Sequence, residues 1–239
     1  MGEQCVVVTG GSSGIGRACV EAVAASGTKV VNLDRNPAEL IPGETFIELD
    51  LYDHGKIRDV FADIAQTFDI VGLVNNAGMS LAKTLAETEA EDFAKVVPLN
   101  MVAPALCAKY AAEHMKRVGW GRIVNMSSRV ILGKELRTTY AATKGGIAAM
   151  AKVWALELAA DGITVNTIAP GPIATPLFKE VNPPGSPRTQ KIIDGVPVKR
   201  LGEPEDIANA VMFFLKKESG FVTGQTLFVC GGLTVGGAQ

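Results

Sequence analysis

Residues 5–16 read CVVVTGGSSGIG, and this stretch decides the fold. Its four leading apolar residues predict a strand that is buried on both faces. The glycines that follow permit a tight turn into a helix rich in small and apolar residues, and backbone N–H groups there can approach a pyrophosphate. The spacing of Gly10, Gly14 and Gly16 differs from the common G-x-G-x-x-G, and a glycine-rich turn can be only a turn. Its position between strand and helix favours phosphate binding.

Strands and helices alternate along the rest of the chain. Apolar runs predict further strands at residues 29–33, 45–49, 70–74, 122–126, 163–168 and 226–230. Helical patterns lie between them at residues 56–68, 92–116, 140–160 and 203–215. The alternation predicts an α/β fold, a Rossmann-type doubly wound parallel sheet with helices on both faces. No linker or repeat interrupts it, so we expect one domain over residues 1–239.

Residues 179–198 differ in texture from the rest of the chain. They contain Pro183, Pro184, Pro187 and Pro197 and show little periodicity. A long irregular stretch inside a compact domain is usually either functional or disordered. Because this one follows the carboxyl end of a strand, we expect a substrate lid near residues 176–198.

The composition limits the class of partner. The 239 residues carry a formal net charge of −2, with 47% hydrophobic and 20% charged residues, which gives no electrostatic case for nucleic acid or an anionic membrane. The four cysteines are scattered and the two histidines have no ligand spacing, so we expect core thiols and no metal site. The first apolar run is too short for a signal peptide, so we expect a cytoplasmic protein.

Tyr140 and Lys144 are four residues apart in a helical pattern and therefore share one helix face. A phenol has a pKa of about 10, and an ammonium beside it favours the phenolate and lowers that pKa. The pair can then take a proton from an alcohol or give one to a carbonyl oxygen. Tyr-x-x-x-Lys alone is weak evidence, because two surface side chains of an amphipathic helix give the same pattern.

Asp34 ends the second predicted strand, where an adenosine ribose is expected. A carboxylate there accepts hydrogen bonds from both ribose hydroxyls and repels a 2′-phosphate, although an ordinary strand-end residue is the alternative. Arg35 is expected to point away, since neighbours on a strand face opposite sides. Ser13 supplies no basic side chain, and Arg17 is a weaker opposing signal. These residues predict NAD as the cofactor, with NAD(H) preferred to NADP(H).

Six motifs follow one another along the chain: TGGSSGIG at residues 9–16, NNAG at 75–78, Asn100, Ser127-Ser128, Tyr140-x-x-x-Lys144 and PGPIAT at 170–175. Each is weak alone, but the ordered set resembles the short-chain dehydrogenase/reductase family over nearly the whole chain. The resemblance implies an oxidoreductase that transfers a hydride between a nicotinamide cofactor and a secondary alcohol or ketone. Relatives without activity usually lose the Tyr or the Lys, and this chain keeps both.

The resemblance implies a catalytic role for four residues. Tyr140 would be the general acid/base, and Lys144 would lower its pKa and hold the nicotinamide ribose. Ser128 would bond the substrate oxygen, and Asn100 would hold a water that links Lys144 to solvent.

The cofactor side is implied in the same way. Asp50 would lie by the adenine, Asn76 under the cofactor and Thr175 by the carboxamide. The implied cofactor-binding residues are Gly10, Ser12, Ser13, Gly14, Ile15, Gly16, Asp34, Asp50, Leu51, Asn76, Ala77, Gly78, Tyr140, Lys144, Pro170, Gly171, Ile173 and Thr175.

One departure from the family concerns the serines. Ser128 and Tyr140 are one residue closer together than is commonest in the family, and Ser127 would restore the usual spacing. The strand at 122–126 nevertheless runs into the pair in the register in which the second serine is catalytic, so we choose Ser128. The missing residue then falls in the loop 129–139, which shapes the substrate pocket in the family.

Three functions remain open: an NAD-dependent alcohol, polyol or hydroxy-acid dehydrogenase, a 3-oxoacyl-thioester reductase acting on acyl-carrier-protein or CoA substrates, and a dinucleotide-sensing protein without turnover. The reductase usually prefers NADPH, which Asp34 opposes, and the intact Ser128, Tyr140 and Lys144 oppose the sensor. Four cations near the pocket either contact an anionic substrate or are solvated loop charges. They are Arg129, Lys134, Arg137 and Arg188.

Two helices carry many small and apolar residues, at 103–115 and 140–160. One sheet cannot cover two faces of such a helix, so we expect a subunit interface there, in a homodimer or a homotetramer. The residues expected to contribute are Ala108, Ala112, Ala148, Ala149, Trp154 and Leu158.

Overall fold

A computed structural model describes residues 2–235 and contains one sheet of seven parallel strands. The strands are β1 (Glu3–Thr9), β2 (Lys29–Asp34), β3 (Glu44–Glu48), β4 (Phe68–Asn75), β5 (Gly121–Met126), β6 (Ile163–Pro170) and β7 (Thr226–Val229). Their order across the sheet is β3-β2-β1-β4-β5-β6-β7. Chain order therefore reverses between β1 and β4, and such a switch point is where open α/β sheets form a ligand crevice.

Eight α-helices connect the strands in the described residues. They are α1 (Gly14–Ala25), α2 (His54–Thr67), α3 (Ala90–Val97), α4 (Ala103–Val118), α5 (Thr138–Leu158), α6 (Pro176–Val181), α7 (Pro187–Gly195) and α8 (Pro204–Leu215). No helix within residues 2–235 is long and apolar enough to cross a membrane.

The central strands are buried on both faces, as their apolar runs predict. Along β1, Cys5 and Val7 pack with α2, α4 and α5, whereas Val6 and Val8 pack with α1 and α8 on the other face. This alternation gives two hydrophobic cores separated by the sheet. The predicted doubly wound parallel sheet is confirmed.

The predicted helix over residues 92–116 is divided in the structure. After α3, residues Pro98–Val102 form a wider π-helical turn, and the Ala103 N–H bonds to the Pro98 carbonyl before α4 continues. Proline lacks an N–H and disturbs the preceding helical turn, which the sequence pattern of apolar residues does not reveal. The turn buries Asn100.

The stretch predicted to be irregular contains two short helices, so this part of the prediction is wrong. Both α6 and α7 begin with proline, a residue preorganised for the first helical position. Thr175 and Ser186 cap them, accepting hydrogen bonds from the N–H groups of Phe178 and Thr189. The helices are too short for periodicity to predict them.

All four cysteines are buried free thiols, as predicted for core residues. Burial raises the pKa of Cys5, Cys19 and Cys107 to about 12, which keeps these thiols protonated and unreactive.

Candidate active site

A cleft of about 550 Å³ opens at the carboxyl ends of β1, β2 and β4. It lies at the switch point of the sheet, where the glycine turn after β1 faces the NNAG segment after β4. Eleven of the predicted cofactor-binding residues line it: Gly10, Ser13, Gly14, Ile15, Asp34, Asp50, Leu51, Asn76, Ala77, Gly78 and Thr175.

The glycine turn leaves no room for side chains, because a Cβ at its glycines would meet neighbouring atoms. Gly10 has a φ of 68°, which L-residues rarely adopt, and a Cβ on Gly16 would lie 1.9 Å from the Gly10 carbonyl oxygen. The turn leads into the first helix, whose N-terminus favours negative charge. The cleft therefore fits an elongated ligand with a pyrophosphate, such as a dinucleotide.

A clasp between β1 and β4 forms the floor of the cleft. The Thr9 hydroxyl accepts hydrogen bonds from the N–H groups of Asn76 (3.0 Å) and Ala77 (3.2 Å). The Asn76 amide donates in return to the carbonyls of Thr9 (3.1 Å) and Gly10 (3.0 Å). Asn76 thus fixes the glycine turn, and Thr9, the first residue of the TGGSSGIG motif, is a structural partner in the floor of the cleft that was not predicted from the sequence.

Asp34 lies on the wall of the cleft with its carboxylate held by two backbone donors. Its oxygens accept from the N–H groups of Ser12 (3.1 Å) and Asn36 (3.0 Å). Arg35 lines the same cleft, so the expectation that it points away is wrong. The reason is that β2 ends at Asp34, and the alternation of side chains does not extend beyond the strand.

Arg17 is fully engaged elsewhere. Its guanidinium pairs with Glu44 (2.9 Å), whose side chain is completely buried, and with Glu21 (3.0 Å), and it donates to the Glu39 carbonyl. Asn32 bonds the same Glu44 carboxylate and also the Ser12 hydroxyl. Arg17 therefore anchors the segment between β2 and β3 and is not free to bind a phosphate.

The other predicted cofactor residues have mixed positions. Thr175 covers Gly14, since a Cβ on that glycine would lie 3.3 Å from the Thr175 methyl carbon. The remaining seven do not line the 550 Å³ cleft: Ser12, Gly16, Tyr140, Lys144, Pro170, Gly171 and Ile173. Ile173 instead lines a separate cavity of about 370 Å³. Leu33, Arg35, Leu49, Tyr52, Met79, Leu99, Pro176 and Leu177 line the cleft without having been predicted.

Tyr140 and Lys144 share one face of α5 next to the cleft. The Lys144 Nζ lies 5.7 Å from the centre of the Tyr140 ring and donates to the Met126 carbonyl at 2.7 Å. A Cβ on Gly78, in the cleft wall, would be 3.4 Å from that Nζ. Gly78 of the NNAG segment and Lys144 of the Tyr-x-x-x-Lys motif are 66 residues apart in the chain. They therefore lie next to each other in the fold.

The pKa values of Lys144 and Tyr140 both differ from their ordinary values. Burial lowers the pKa of Lys144 from 10.5 to about 8. Burial also raises the pKa of Tyr140, against the opposing effects of the Ser128 side chain and the Arg137 charge. The expected lowering by Lys144 is absent in the protein alone, because desolvation disfavours charge on both groups.

The two serines have different surroundings. The Ser127 hydroxyl is buried and donates to the Lys144 carbonyl at 2.8 Å, so it ties β5 to α5. Ser128 accepts from the Val130 N–H at 3.4 Å, and its side chain opposes the rise in the pKa of Tyr140. Of the pair, Ser128 is the one beside the phenol.

Asn100 connects the cleft wall to α5. Its Oδ1 accepts from the Met79 N–H, and its Nδ2 donates to the Met79 carbonyl and to the Thr143 hydroxyl. Thr143 precedes Lys144, so the side chain of Asn100 positions the segment that carries Lys144. The π-helical turn at Pro98–Val102 presents Asn100 for this role.

The amino-acid sequence that forms this site matches a known protein family. The family model described as enoyl-(acyl carrier protein) reductase matches residues 10–234. The chain belongs to the short-chain dehydrogenase/reductase family.

Similar proteins align over nearly the whole length of this short-chain dehydrogenase/reductase. The (2S)-[(R)-hydroxy(phenyl)methyl]succinyl-CoA dehydrogenase subunit BbsD of Thauera aromatica is 37% identical over 239 residues, covering 95% of this chain and 94% of the relative. The 3-oxoacyl-[acyl-carrier-protein] reductase FabG of Thermotoga maritima is 35% identical and covers 98% of both. The solved structure of ElxO with NADP bound has a TM-score of 0.90 at 30% identity, covering 98% of this chain and 99% of that one.

This short-chain dehydrogenase/reductase is therefore an oxidoreductase that uses a nicotinamide dinucleotide. The relatives differ in what they act on, so the choice of cofactor and substrate depends on residues of this chain.

Proposed function

We propose that this enzyme is an NAD-dependent dehydrogenase/reductase that interconverts a secondary alcohol and a ketone, with residues 1–239 forming one domain. The observation that supports the cofactor choice is Asp34, a carboxylate on the cleft wall whose position is fixed by the Ser12 and Asn36 N–H groups. It can accept from ribose hydroxyls, and it repels a 2′-phosphate. The nearby cation Arg17 is neutralised by Glu44 and Glu21, which leaves Arg35 as the opposing charge.

Four residues of the site have distinct tasks in the proposal. When bound, the nicotinamide supplies the hydride donor or acceptor. The Tyr140 Oη gives its proton to the substrate oxygen in reduction and takes one in oxidation. The Ser128 hydroxyl bonds the same substrate oxygen, and the Lys144 ammonium stabilises the Tyr140 phenolate. Asn100 holds Met79 and Thr143 in place around Lys144.

The cofactor is held mainly by backbone. The turn at Gly10–Gly16 would take the pyrophosphate, Asp34 the adenosine ribose, and Asp50 and Leu51 the adenine. The lid over residues 176–198 would exclude water from the reacting centre. Thr175, which precedes the lid, faces the cleft and also caps α6.

The proposal is tested with a panel of secondary alcohols and ketones, each assayed with NAD(H) and NADP(H) by nicotinamide absorbance. We expect turnover with NAD(H) at a higher kcat/KM. Equal or better activity with NADP(H) would contradict the cofactor assignment. Dinucleotide binding without turnover of any compound in the panel would instead favour a sensing protein.

A second function has its own support. The match to a 3-oxoacyl-[acyl-carrier-protein] reductase over 98% of both chains favours reduction of a 3-oxoacyl thioester. Acetoacetyl-CoA assayed with NADPH and NADH separates the two functions. A preference for NADPH together with a kcat/KM above that for every free alcohol or ketone would rank the reductase first.

We also propose a homodimer or homotetramer, with a cytoplasmic location. Ala108, Ala112 and Ala148, which were expected at the interface, are buried within the protomer. Ala149, which was also expected there, is exposed, and the large exposed apolar residues of α5 are Val153 (52%) and Leu156 (85%), so these three would make the contact. Light scattering that gives a monomer at micromolar concentration would refute the proposal.

A further inference from the structure

A buried amide lies behind the wall of the cleft that carries Asp34. Asn32 is in the middle of β2, between the apolar residues Val31 and Leu33, and its exposed fraction is 0%. Asparagine is depleted in strands, and an amide taken out of water needs hydrogen bonds to offset the loss of its hydration. The hydrogen bonds of Asn32 therefore bear on why this residue type stands in a buried strand.

The amide of Asn32 bonds through its nitrogen alone. Its Nδ2 donates to the Glu44 Oε1 at 3.0 Å and to the Ser12 Oγ at 3.2 Å. Its Oδ1 has no hydrogen-bond partner within residues 2–235 and lies against Gly11, where a Cβ would overlap it. A buried oxygen without a partner costs stability, so folding alone does not account for this amide.

Glu44 determines which way the amide faces. Its side chain is completely buried, and its carboxylate accepts from the Arg17 guanidinium at 2.9 Å and from the Ile41 N–H at 3.2 Å. A carboxylate paired with a guanidinium only accepts hydrogen bonds. The amide must therefore turn its nitrogen toward Glu44, and the same nitrogen then reaches Ser12.

This orientation is passed on to the Ser12 hydroxyl. Because the Oγ accepts from Asn32, it directs its one proton elsewhere, and it donates to the Asn36 carbonyl at 2.6 Å. The N–H groups of Ser12 and Asn36 each bond one oxygen of Asp34, at 3.1 Å and 3.0 Å. The hydroxyl thus closes a ring of hydrogen bonds that fixes the direction of the Asp34 carboxylate.

We propose that Asn32 and Glu44 are positioning residues for cofactor recognition, which hold the Asp34 carboxylate in place at the adenosine ribose. They act through Ser12, whose hydroxyl is used within the protein instead of on the cofactor. None of these three residues lines the cleft, so none would touch the dinucleotide itself. The inference rests on the proposed function, because it concerns the cofactor choice of the same site.

The Glu44–Asn32–Ser12 network bears on selectivity more than on affinity. A carboxylate in a fixed direction meets both ribose hydroxyls with good hydrogen-bond geometry and cannot swing away from a 2′-phosphate. A carboxylate that can rotate bonds the hydroxyls less well and makes room for the phosphate. Loss of the network should therefore weaken NADH and spare NADPH.

Calorimetric titration with NADH and with NADPH, without substrate, measures this selectivity. Asn32→Leu keeps the approximate size of the side chain and removes the donor. We expect the Kd for NADPH divided by the Kd for NADH to fall about fivefold from its wild-type value, the effect of one lost hydrogen bond of ordinary strength. A general loss of structure would weaken both dinucleotides alike. A ratio that stays constant or rises would overturn the proposal.

A second variant keeps the test decisive if Asn32→Leu does not fold. Ser12→Ala breaks the same network at a half-buried position and removes only the hydroxyl that closes the ring. The same fall in the ratio is expected. An unchanged ratio in Ser12→Ala would refute the proposed route to Asp34, whatever the Asn32 variant does.

A double-mutant cycle separates positioning from a structural role. If Asn32 acts through Asp34, then adding Asn32→Leu to Asp34→Ala should change the ratio by no more than a factor of about two, because the residue it positions is already gone. A further fall as large as that seen in the wild-type background would show that the two residues act independently, and the inference would fail.

The matched control is a buried asparagine of another strand. Asn166 in β6 is 1% exposed, and its amide bonds the Val222 carbonyl and the Gln225 N–H, away from the cleft. Asn166→Leu should keep the wild-type ratio even where it lowers stability. The wild-type ratio by itself tests the proposed cofactor choice, and tighter binding of NADPH would refute that choice. An unchanged ratio in Asn32→Leu and Ser12→Ala would instead refute the network alone.

Discussion

The two walls of the active site are built in opposite ways. On the cofactor side, backbone groups do most of the work: the glycine turn, the Thr9–Asn76 clasp and the two N–H groups that hold Asp34. Its one nearby buried charge, Glu44, is paired with Arg17. On the substrate side, the proposed reacting groups are side chains, Ser128 and Tyr140, and the adjoining β5–α5 loop carries exposed side chains such as Lys134.

The difference follows from what each wall must do. A dinucleotide is the same molecule for every turnover, so a rigid wall of backbone donors costs nothing in specificity. A substrate wall that defines one enzyme among its relatives must differ from theirs, and exposed loops tolerate such change.

The largest expected effect is the loss of the proton donor where the two walls meet. Tyr140→Phe keeps the ring and removes the hydroxyl, so kcat should fall on the order of 10³-fold, within the usual range for a general acid/base. Dinucleotide binding by calorimetry should change little, because Tyr140 does not line the cleft. Wild-type kcat in this variant would show that the phenol is not the acid/base.

The second effect separates the two serines. Ser128→Ala removes the hydroxyl beside the phenol and should lower kcat/KM about a hundredfold, since one lost oxyanion-type donor costs on the order of 3 kcal/mol. Ser127→Ala removes only the bond to the Lys144 carbonyl. Its loss in kcat/KM should be at least ten times smaller, and the reverse ranking would transfer the role to Ser127.

The third effect tests whether the cofactor wall is selective. Asp34→Ala should shift the ratio of kcat/KM for NADP(H) over NAD(H) upward about tenfold or more, because a carboxylate that bonds ribose hydroxyls and repels a 2′-phosphate is lost. Asp59→Ala, an exposed carboxylate on α2 outside the cleft, is the matched control. A ratio that stays constant would contradict the role of Asp34 in cofactor choice. Arg35 would then be the next residue to test.

The smallest effect is a pH dependence of folding. Lys144 has a pKa of about 8 in the folded protein against an ordinary value of 10.5, so between these values the unfolded chain binds more protons. The free energy of unfolding should therefore rise with pH, by about 1 kcal/mol per pH unit at most, relative to Lys144→Met. Urea titrations of both proteins between about pH 7.5 and 9.5 give this difference. Parallel curves would show that Lys144 is not desolvated.

Much of the cofactor wall could be predicted from the sequence because its signals are local. The glycine turn follows an apolar strand directly, and Asp34 ends the next strand, so strand boundaries alone bring them together. Arg35 was misjudged because the alternation rule was applied one residue past the end of β2. The network of Arg17, Glu44 and Asn32 left no local signal, since three separate segments form it.

The substrate wall could be predicted only in part. The positions of Arg129, Lys134, Arg137 and Arg188 in the chain could be read from the sequence, but where their side chains lie in the fold could not. The π-helical turn at Pro98–Val102 and the helices α6 and α7 depend on proline effects too short for periodicity to detect. The environment that raises the pKa of Tyr140 is likewise a property of the packed core.

The clasp between Thr9 and Asn76 has a consequence for how the chain folds. In β1, Glu3 pairs with Phe68 and Thr9 with Asn75, so the floor of the cleft is made only when segments far apart in sequence have joined. Closing so long a loop is slow in folding, and parallel pairing requires it. The segment containing only β1, α1 and β2 has the glycine turn and Asp34, yet it is half a binding site. A dinucleotide bound as proposed, across β1 and β4, would therefore stabilise the joined halves of the sheet only late in folding.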